Sequence, residues 1–301
     1  MKIIECVPNF SEGRDPQKIS SIAAVFKSFP KVRLAEFSGD ADHNRSVFTF
    51  LGESEPLLEA ALAACGKALE LIDMRKQIGA HPRLGAVDVV PFIPLGRAKM
   101  KDAVNLAHAF GQKFYERFGV PVYFYGFAAK KDQHTELPDV RRGGYEGLAD
   151  KMSSAKGSPD LGGEEFNSRA GATVVGVRDI LVAYNINLAS DDFLLARHIA
   201  SRIREKGGGL KHLRAIGVML KGRAIAQVSM NLTNCKETSL KIVYDRVKEL
   251  AAEGGVQILE SELIGLAPRC AFAGTTPEDL QLKDFNEHRL LETHLKYLSR
   301  S

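Results

Sequence analysis

The order strand–helix–strand–strand–helix–strand occurs twice along this 301-residue chain and predicts an α+β fold built by internal duplication. Three observations carry that expectation. Apolar residues fall at helical spacing in some segments and in short β-branched runs in others. The second copy begins about 175 residues after the first. Both copies open on a strand that ends in asparagine, Asn9 and Asn187. The repeated unit is the split βαβ, ferredoxin-like (βαββαβ) order. The expected subdomains are 1–178 and 179–301, with a ligand cleft between them.

Taken in order, residues 3–8 read as the opening strand. Asp15-Pro16 then starts a helix, an N-cap acceptor followed by proline at the first helical position, with Ile19, Ile22, Ala23 and Phe26 on one face. Residues 32–37 and 46–51 are strands, and 56–72 is an amphipathic helix with Leu58, Ala61, Leu62, Cys65, Leu69 and Ile72 together. In 79–96, a loop containing Gly79, Pro82 and Gly85 leads into an apolar strand of Val87, Val89, Val90, Phe92 and Ile93, closed by Pro91 and Pro94. An extension adds a helix at 101–118 and a strand at 121–127. Polar, glycine-rich text then runs over 130–169 with one short helical piece at 145–152, a length that marks a segment as functional or disordered.

The second copy has a strand at 180–188 and a helix capped by Ser190 with Leu194, Leu195, Ile199 and Ile203 inward. Strands at 215–220 and 224–230 flank a tight Lys-Gly-Arg turn. A helix at 240–251 and a strand region over 256–259 and 262–266 complete it, and a charged helix at 277–297 closes the chain.

Composition narrows the function classes. At 45% hydrophobic, the chain can bury one large core or two domains of about 150 residues. Glu5 interrupts the apolar start, so no secretory leader is expected, and no run approaches the ~18 apolar residues that span a bilayer. Cys6, Cys65, Cys235 and Cys270 form no C-x-x-C pair and read as reduced, mostly buried thiols of a cytoplasmic protein. The net charge of +4 comes from interleaved acids and bases, which suits small anionic ligands better than a nucleic-acid backbone. Neither a G-x-x-x-x-G-K-[ST] nor a G-x-G-x-x-G pattern is present, so no nucleotide cofactor is expected.

Four stretches carry polar residues beyond what turns require. His81 and Arg83 sit in the loop ahead of the apolar strand, and His81 is the side-chain type that titrates near neutrality. It is a candidate proton carrier, or else it holds the loop through backbone hydrogen bonds. Asn9 lies where a strand end meets a helix start, a common ligand position, though it can equally satisfy backbone groups there. Asp40, Asp42, His43 and Arg45 fall within one turn, where Asp and Asn also serve turn geometry. Asp40, Asp42 and His43 lack a further His or Cys at ligand spacing, so no metal site is expected. Residues 159–172 offer glycines for close backbone approach and Phe166 for stacking on a flat ring; read alone, they are a linker.

Together, Cys-Val-Pro-Asn-Phe-Ser-Glu-Gly (6–13), Asn-Arg-Ser-Val-Phe-Thr-Phe (44–50), Gly-Ala-His-Pro-Arg-Leu-Gly-Ala-Val-Asp-Val (79–89) and Pro-Phe-Ile-Pro (91–94) resemble the glutamate formimidoyltransferase family. Gly-Ala-Thr (171–173), Ala-Tyr-Asn-Ile-Asn-Leu (183–188) and Ala-Gln-Val-Ser-Met-Asn-Leu (226–232) extend the match almost end to end. The resemblance implies two ferredoxin-like subdomains and transfer of a formimino group from N-formimino-L-glutamate to tetrahydrofolate, a step in histidine breakdown. It is to a stand-alone form without the cyclodeaminase domain. By the same resemblance His81 is the catalytic histidine. The folate-contacting segment is Gly162, Gly163, Glu164, Glu165, Phe166, Asn167, Ser168, Arg169, Ala170 and Gly171, more charged here than in the bifunctional animal forms. A homodimer is also implied.

In the expected chemistry His81 acts as general acid and base, and Asp40 holds the cationic amidine. Arg45 and Arg83, with Asn9, are candidates for substrate contacts, because a guanidinium fork matches a carboxylate. Tetrahydrofolate is a co-substrate, and neither metal, nucleic acid nor membrane takes part. Two other readings stay open: one-carbon chemistry on 5-formyltetrahydrofolate, and a folate-binding protein without turnover, against which His81 counts.

Overall fold

A computed structural model describes residues 1–79, 82–154, 156–163, 165–220 and 222–299. It divides the chain into two units, residues 1–178 with the last residues from Tyr297, and residues 179–296. Each contains its own sheet.

The first unit runs β1 (Lys2–Cys6), β2 (Asn9–Phe10), α1 (Pro16–Ala24), β3 (Val32–Asp40), β4 (Arg45–Gly52), α2 (Ser54–Leu71), β5 (Val87–Gly96), α3 (Met100–Phe118), β6 (Val122–Gly126), α4 (Leu137–Val140), α5 (Leu148–Met152) and β7 (Thr173–Val177). The expected opening strand at 3–8 is interrupted: Val7 and Pro8 separate β1 from β2, and both pieces pair with β4 and β5. Helix α1 begins as its sequence dictates, with the Asp15 carboxylate accepting from the amides of Gln17 and Lys18. Strand β4 pairs with β3, and β5 joins β7 and β6 in parallel on its other edge.

Strand β5 is not closed by its prolines. It runs through Pro91 and Pro94 to Gly96, pairing with β1 over Phe92–Gly96, and the Pro91 carbonyl accepts from the Val7 amide at 3.1 Å. Its near-continuous burial has a simple cause. Helices α2 and α3 cover one face with a core that includes Phe50, Phe92, Phe110 and Phe114. The other face carries a smaller cluster of Val89, Tyr123, Val174, Val140, Leu148 and Met152. The last three come from the polar stretch 130–169, which is therefore folded rather than loose. Asp160 secures it, accepting from the Phe124 amide at 2.7 Å and pairing with the buried His134 ring at 3.2 Å. Strand β7 has no counterpart in the sequence reading. Its Gly176 meets the Tyr125 ring, 2.2 Å from where a Cβ would lie, so a short run holding a glycine is a strand only by virtue of its neighbours.

The second unit runs β8 (Val182–Leu188), α6 (Phe193–Ile203), β9 (Leu213–Leu220), β10 (Ile225–Leu232), α7 (Leu240–Glu253), β11 (Ile258–Ile264) and α8 (Leu291–Leu298), with an antiparallel sheet in the order β11–β8–β10–β9. Helix α6 is capped by Asp192, which accepts from the Leu195 amide at 2.9 Å; Ser190 instead accepts from the Asp192 amide. Leu194 consequently points outward and is 71% exposed. The two expected pieces at 256–259 and 262–266 are one strand, β11. The expected helix at 277–297 is confined to α8. Gln281 and Asp284 take left-handed backbone angles (φ 49° and 53°), and bridges Ser261–Leu282 and Ala267–Leu290 lay the preceding chain along β11, burying Leu280 and Leu290. Cys6, Cys65 and Cys235 are buried free thiols, whereas Cys270 is exposed with its sulfur 3.9 Å from that of Cys235. Among the described residues, no helix is long and apolar enough to cross a membrane.

Candidate active site

The loop ahead of β5 is fastened on both sides of residues 80 and 81. Ala80 and His81 themselves lie outside the described residues. On the near side, Asn44 donates through Nδ2 to the Ile78 carbonyl at 3.1 Å and to the Gln77 side chain, and accepts from the Gly13 amide at 3.0 Å. On the far side, the Leu84 amide donates to Asp88 at 2.9 Å, and the Ser11 hydroxyl donates to the Gly85 carbonyl at 2.8 Å. Arg83 joins the two sides: its guanidinium donates to the Gln77 carbonyl at 2.8 Å and to Glu146 at 2.9 Å. Gly85 is needed here for space, because a Cβ would lie 2.4 Å from the carbonyl oxygens of Ala170 and Ala172.

Asp40 and Arg45 sit at paired positions where β3 and β4 end. The Asp40 carboxylate accepts from the His43 amide at 2.9 Å and meets the His43 ring at 2.7 Å. Partial burial pushes its pKa up, but the His43 hydrogen bonds, with the charges of His43 and Arg45, outweigh this and hold it at about 2. The Arg45 pKa is also lowered, here because desolvation and the charge of Arg141 disfavour its charged form, opposed by Asp88 and Asp40. Asp88, inside the apolar run of β5, is fully buried and paired with Arg141. Arg45, Arg83 and Arg141 therefore lie beside Asp40, Glu146 and Asp88, so each arginine has a carboxylate close to it. The buried Nε atoms of Arg83 and Arg141 have no partner among the described residues.

The segment 162–171 is tied down at its C-terminal half. The Asn167 side chain accepts from the Ala170 amide at 2.9 Å, the Ser168 carbonyl accepts from the Tyr145 hydroxyl, and Arg169 donates to the Glu70 carbonyl at 3.0 Å. The Phe166 ring lies 5.5 Å from that of Tyr145. Gly162 takes φ 96° beside Pro121, Gly163 and Glu165 are exposed, and Glu164 is outside the described residues. Ala170 and Gly171 pass against Leu84 and Gly85, with Ala86 donating to the Ala170 carbonyl at 2.8 Å and Ala172 to the Leu84 carbonyl at 3.1 Å. Asn9 turns to its own chain, donating to the Val7 carbonyl at 3.0 Å across the kink between β1 and β2.

Several residues that build this site did not stand out in the sequence. Glu12 is buried and accepts from the Arg14 and Asp15 amides, Lys18 and Gln77. Burial raises its pKa, and those hydrogen bonds reverse the effect and lower it. Asn44, Gln77, Asp88, Arg141 and Tyr145 complete the set. The available signal was a lone carboxylate inside an apolar strand, Asp88, which demands a buried partner. Among the described residues, no group of three or more His, Cys, Asp or Glu side chains is placed to hold a metal.

These features define an α+β protein in which one loop is braced by a carboxylate and arginine network at the end of a sheet. Residues 3–178 match the formiminotransferase domain, N-terminal subdomain, and residues 183–280 match the formiminotransferase domain. The chain belongs to the formiminotransferase family. A glutamate formimidoyltransferase from Streptococcus pyogenes serotype M1 is 42% identical over 98% of this chain and 99% of its own length. One from Thermoplasma acidophilum is 40% identical over 98% of both chains. The formimidoyltransferase-cyclodeaminase of Gallus gallus is 42% identical over 90% of this chain, which spans 51% of that longer protein.

Proposed function

We propose that this chain transfers the formimino group of N-formimino-L-glutamate to N5 of tetrahydrofolate, releasing L-glutamate. The observation that carries the reading is 42% identity, over 98% of this chain and 99% of the relative, to a glutamate formimidoyltransferase. The repeated strand order, with the opening strand between the fourth and the third strands of the repeat (β5 and β4; β11 and β10), supports two ferredoxin-like subdomains, 1–178 and 179–301, arising by duplication. We take the protein to be a cytoplasmic homodimer that uses folate as co-substrate and needs no metal.

The amidinium carbon of formiminoglutamate is electrophilic without activation by a metal. N5 attacks it and a tetrahedral centre with three nitrogens forms. The proton lost by N5 must reach the departing glutamate nitrogen. His81, in its fastened loop, carries that proton from one nitrogen to the other. Asp40, ionised down to pH about 2, faces the amidinium charge. Arg45 and Arg83 supply the positive field for substrate carboxylates, and Asn9 remains a candidate contact at the strand end. Residues 162–171 hold the folate, with Phe166 and Tyr145 offering flat faces to the pterin. Positioning two substrates together contributes much of the rate.

The test is direct. Purified protein with formiminoglutamate and tetrahydrofolate should release glutamate and form 5-formiminotetrahydrofolate, including after treatment with a strong chelator. No glutamate release, alongside turnover of 5-formyltetrahydrofolate, would replace the reading with one-carbon chemistry on the formyl folate.

A further inference from the structure

Asn44 fastens the near side of the loop ahead of β5. Asn44 lies in the turn after β3, is only 5% exposed, and takes φ 50°, a left-handed conformation that asparagine tolerates better than most side chains. A turn alone would be satisfied by glycine there. Instead, all the polar atoms of its side chain are spent on other segments: Oδ1 on the Gly13 amide at 3.0 Å, and Nδ2 on the Ile78 carbonyl at 3.1 Å and the Gln77 side chain. Gln77 in turn donates to the buried Glu12 at 3.2 Å. Ile78 is three residues before His81, and its own side chain is 77% exposed, so packing does not hold it. Gly79 presses on the same turn; a Cβ there would sit 2.4 Å from the His43 carbonyl oxygen.

We propose that Asn44 is a positioning residue for the reaction, setting the place of the His81 loop by holding its N-terminal side against the 12–13 and 40–45 segments. This rests on the formimino-transfer reading. A general acid and base that must reach two nitrogens in turn tolerates little displacement, and about 1 Å of error can cost of order a hundred-fold in rate.

Asn44→Asp keeps the tolerance for left-handed backbone and the acceptor for Gly13 but cannot donate to Ile78 or Gln77. Asn44→Gly keeps the backbone angle and removes all three bonds. Both should lower kcat at least about ten-fold while KM for each substrate changes less than about three-fold, alongside a moderate fall in melting temperature from the lost buried hydrogen bonds. Asn44→Ala, which keeps neither angle nor bonds, should add a clear fall in melting temperature. Wild-type kcat in either Asn44→Asp or Asn44→Gly would overturn the positioning role, as would a loss confined to KM or to melting temperature. If Asn44→Gly fails to fold, Asn44→Asp decides alone. A wild-type protein without glutamate release would overturn the functional reading itself, an outcome distinct from an active wild type beside an unaffected variant.

Discussion

Asn9 and Asn187 each lie in the opening strand region of their own unit, yet they do different work. Asn9 is partly exposed and donates to a carbonyl two residues back, steadying a kink. Asn187 is fully buried and sits at the centre of a side-chain lattice. Its Nδ2 donates to Glu260 and Glu262, both at 2.9 Å, and its Oδ1 accepts from Gln227 at 2.8 Å. Arg223 closes the lattice against Glu260 at 2.7 Å. Asn9 thus holds backbone at a kink, whereas Asn187 holds other side chains across strands. A repeated sequence sign therefore does not mark a repeated role.

The largest test of that contrast is His81→Ala. On the proton-transfer reading it cuts turnover by about a hundred-fold or more, with folate affinity little changed. Wild-type activity should also fall below an imidazole's usual pKa of about 6.5, since the base must start unprotonated. Near-normal turnover by a folded variant would remove the histidine from the chemistry. Next in size is Asp88→Ala, which strands Arg141 beside a loop that has lost its hold on Leu84. Breaking a buried pair in this way should lower the unfolding free energy by about 3 kcal/mol, read by urea titration. A loss under 1 kcal/mol would mean that the arginine finds water.

In the second unit, Asn187→Ala leaves two carboxylates facing each other and should cost about 2 kcal/mol, against about 0.5 kcal/mol for Asn9→Ala. Equal losses would erase the contrast between the copies. A separate test is a pH signature in β1. Burial raises the Glu5 pKa from 4.5 to about 7, partly offset by Arg178. The folded state therefore binds a proton more readily than the unfolded one, so stability falls as pH rises from about 4.5 to about 7 and is level above that. Glu5→Gln should flatten that slope, melting higher than wild type at pH 8 and alike at pH 4.5. An unchanged profile would acquit Glu5.

Much of this was legible in the chain itself. The apolar β5, the Asp15 cap and the amphipathic α2 follow from local chemistry, and the motifs around 6–13 and 79–89 brought the candidate site into view. What escaped notice depends on distant partners. Strand β7 exists because β5 and β6 offer it edges. The segment before α8 lies flat because Ser261 of β11, and Ala267 beyond it, bridge to residues whose own charge pattern favours a helix. Asp88 and Arg141 are 53 residues apart in sequence, and no periodicity links them.

The meeting of Gly85 with Gly171 has a kinetic corollary. Backbone hydrogen bonds join Ala86 to Ala170 and Ala172 to Leu84, stitching the exit of one loop to the exit of the other. Neither side of this stitch can peel away while the other stays, so the amides of Ala86 and Ala172 should show one common free energy of opening in hydrogen exchange. Whatever firms the 162–171 segment then also slows the fluctuations of residues 82–86.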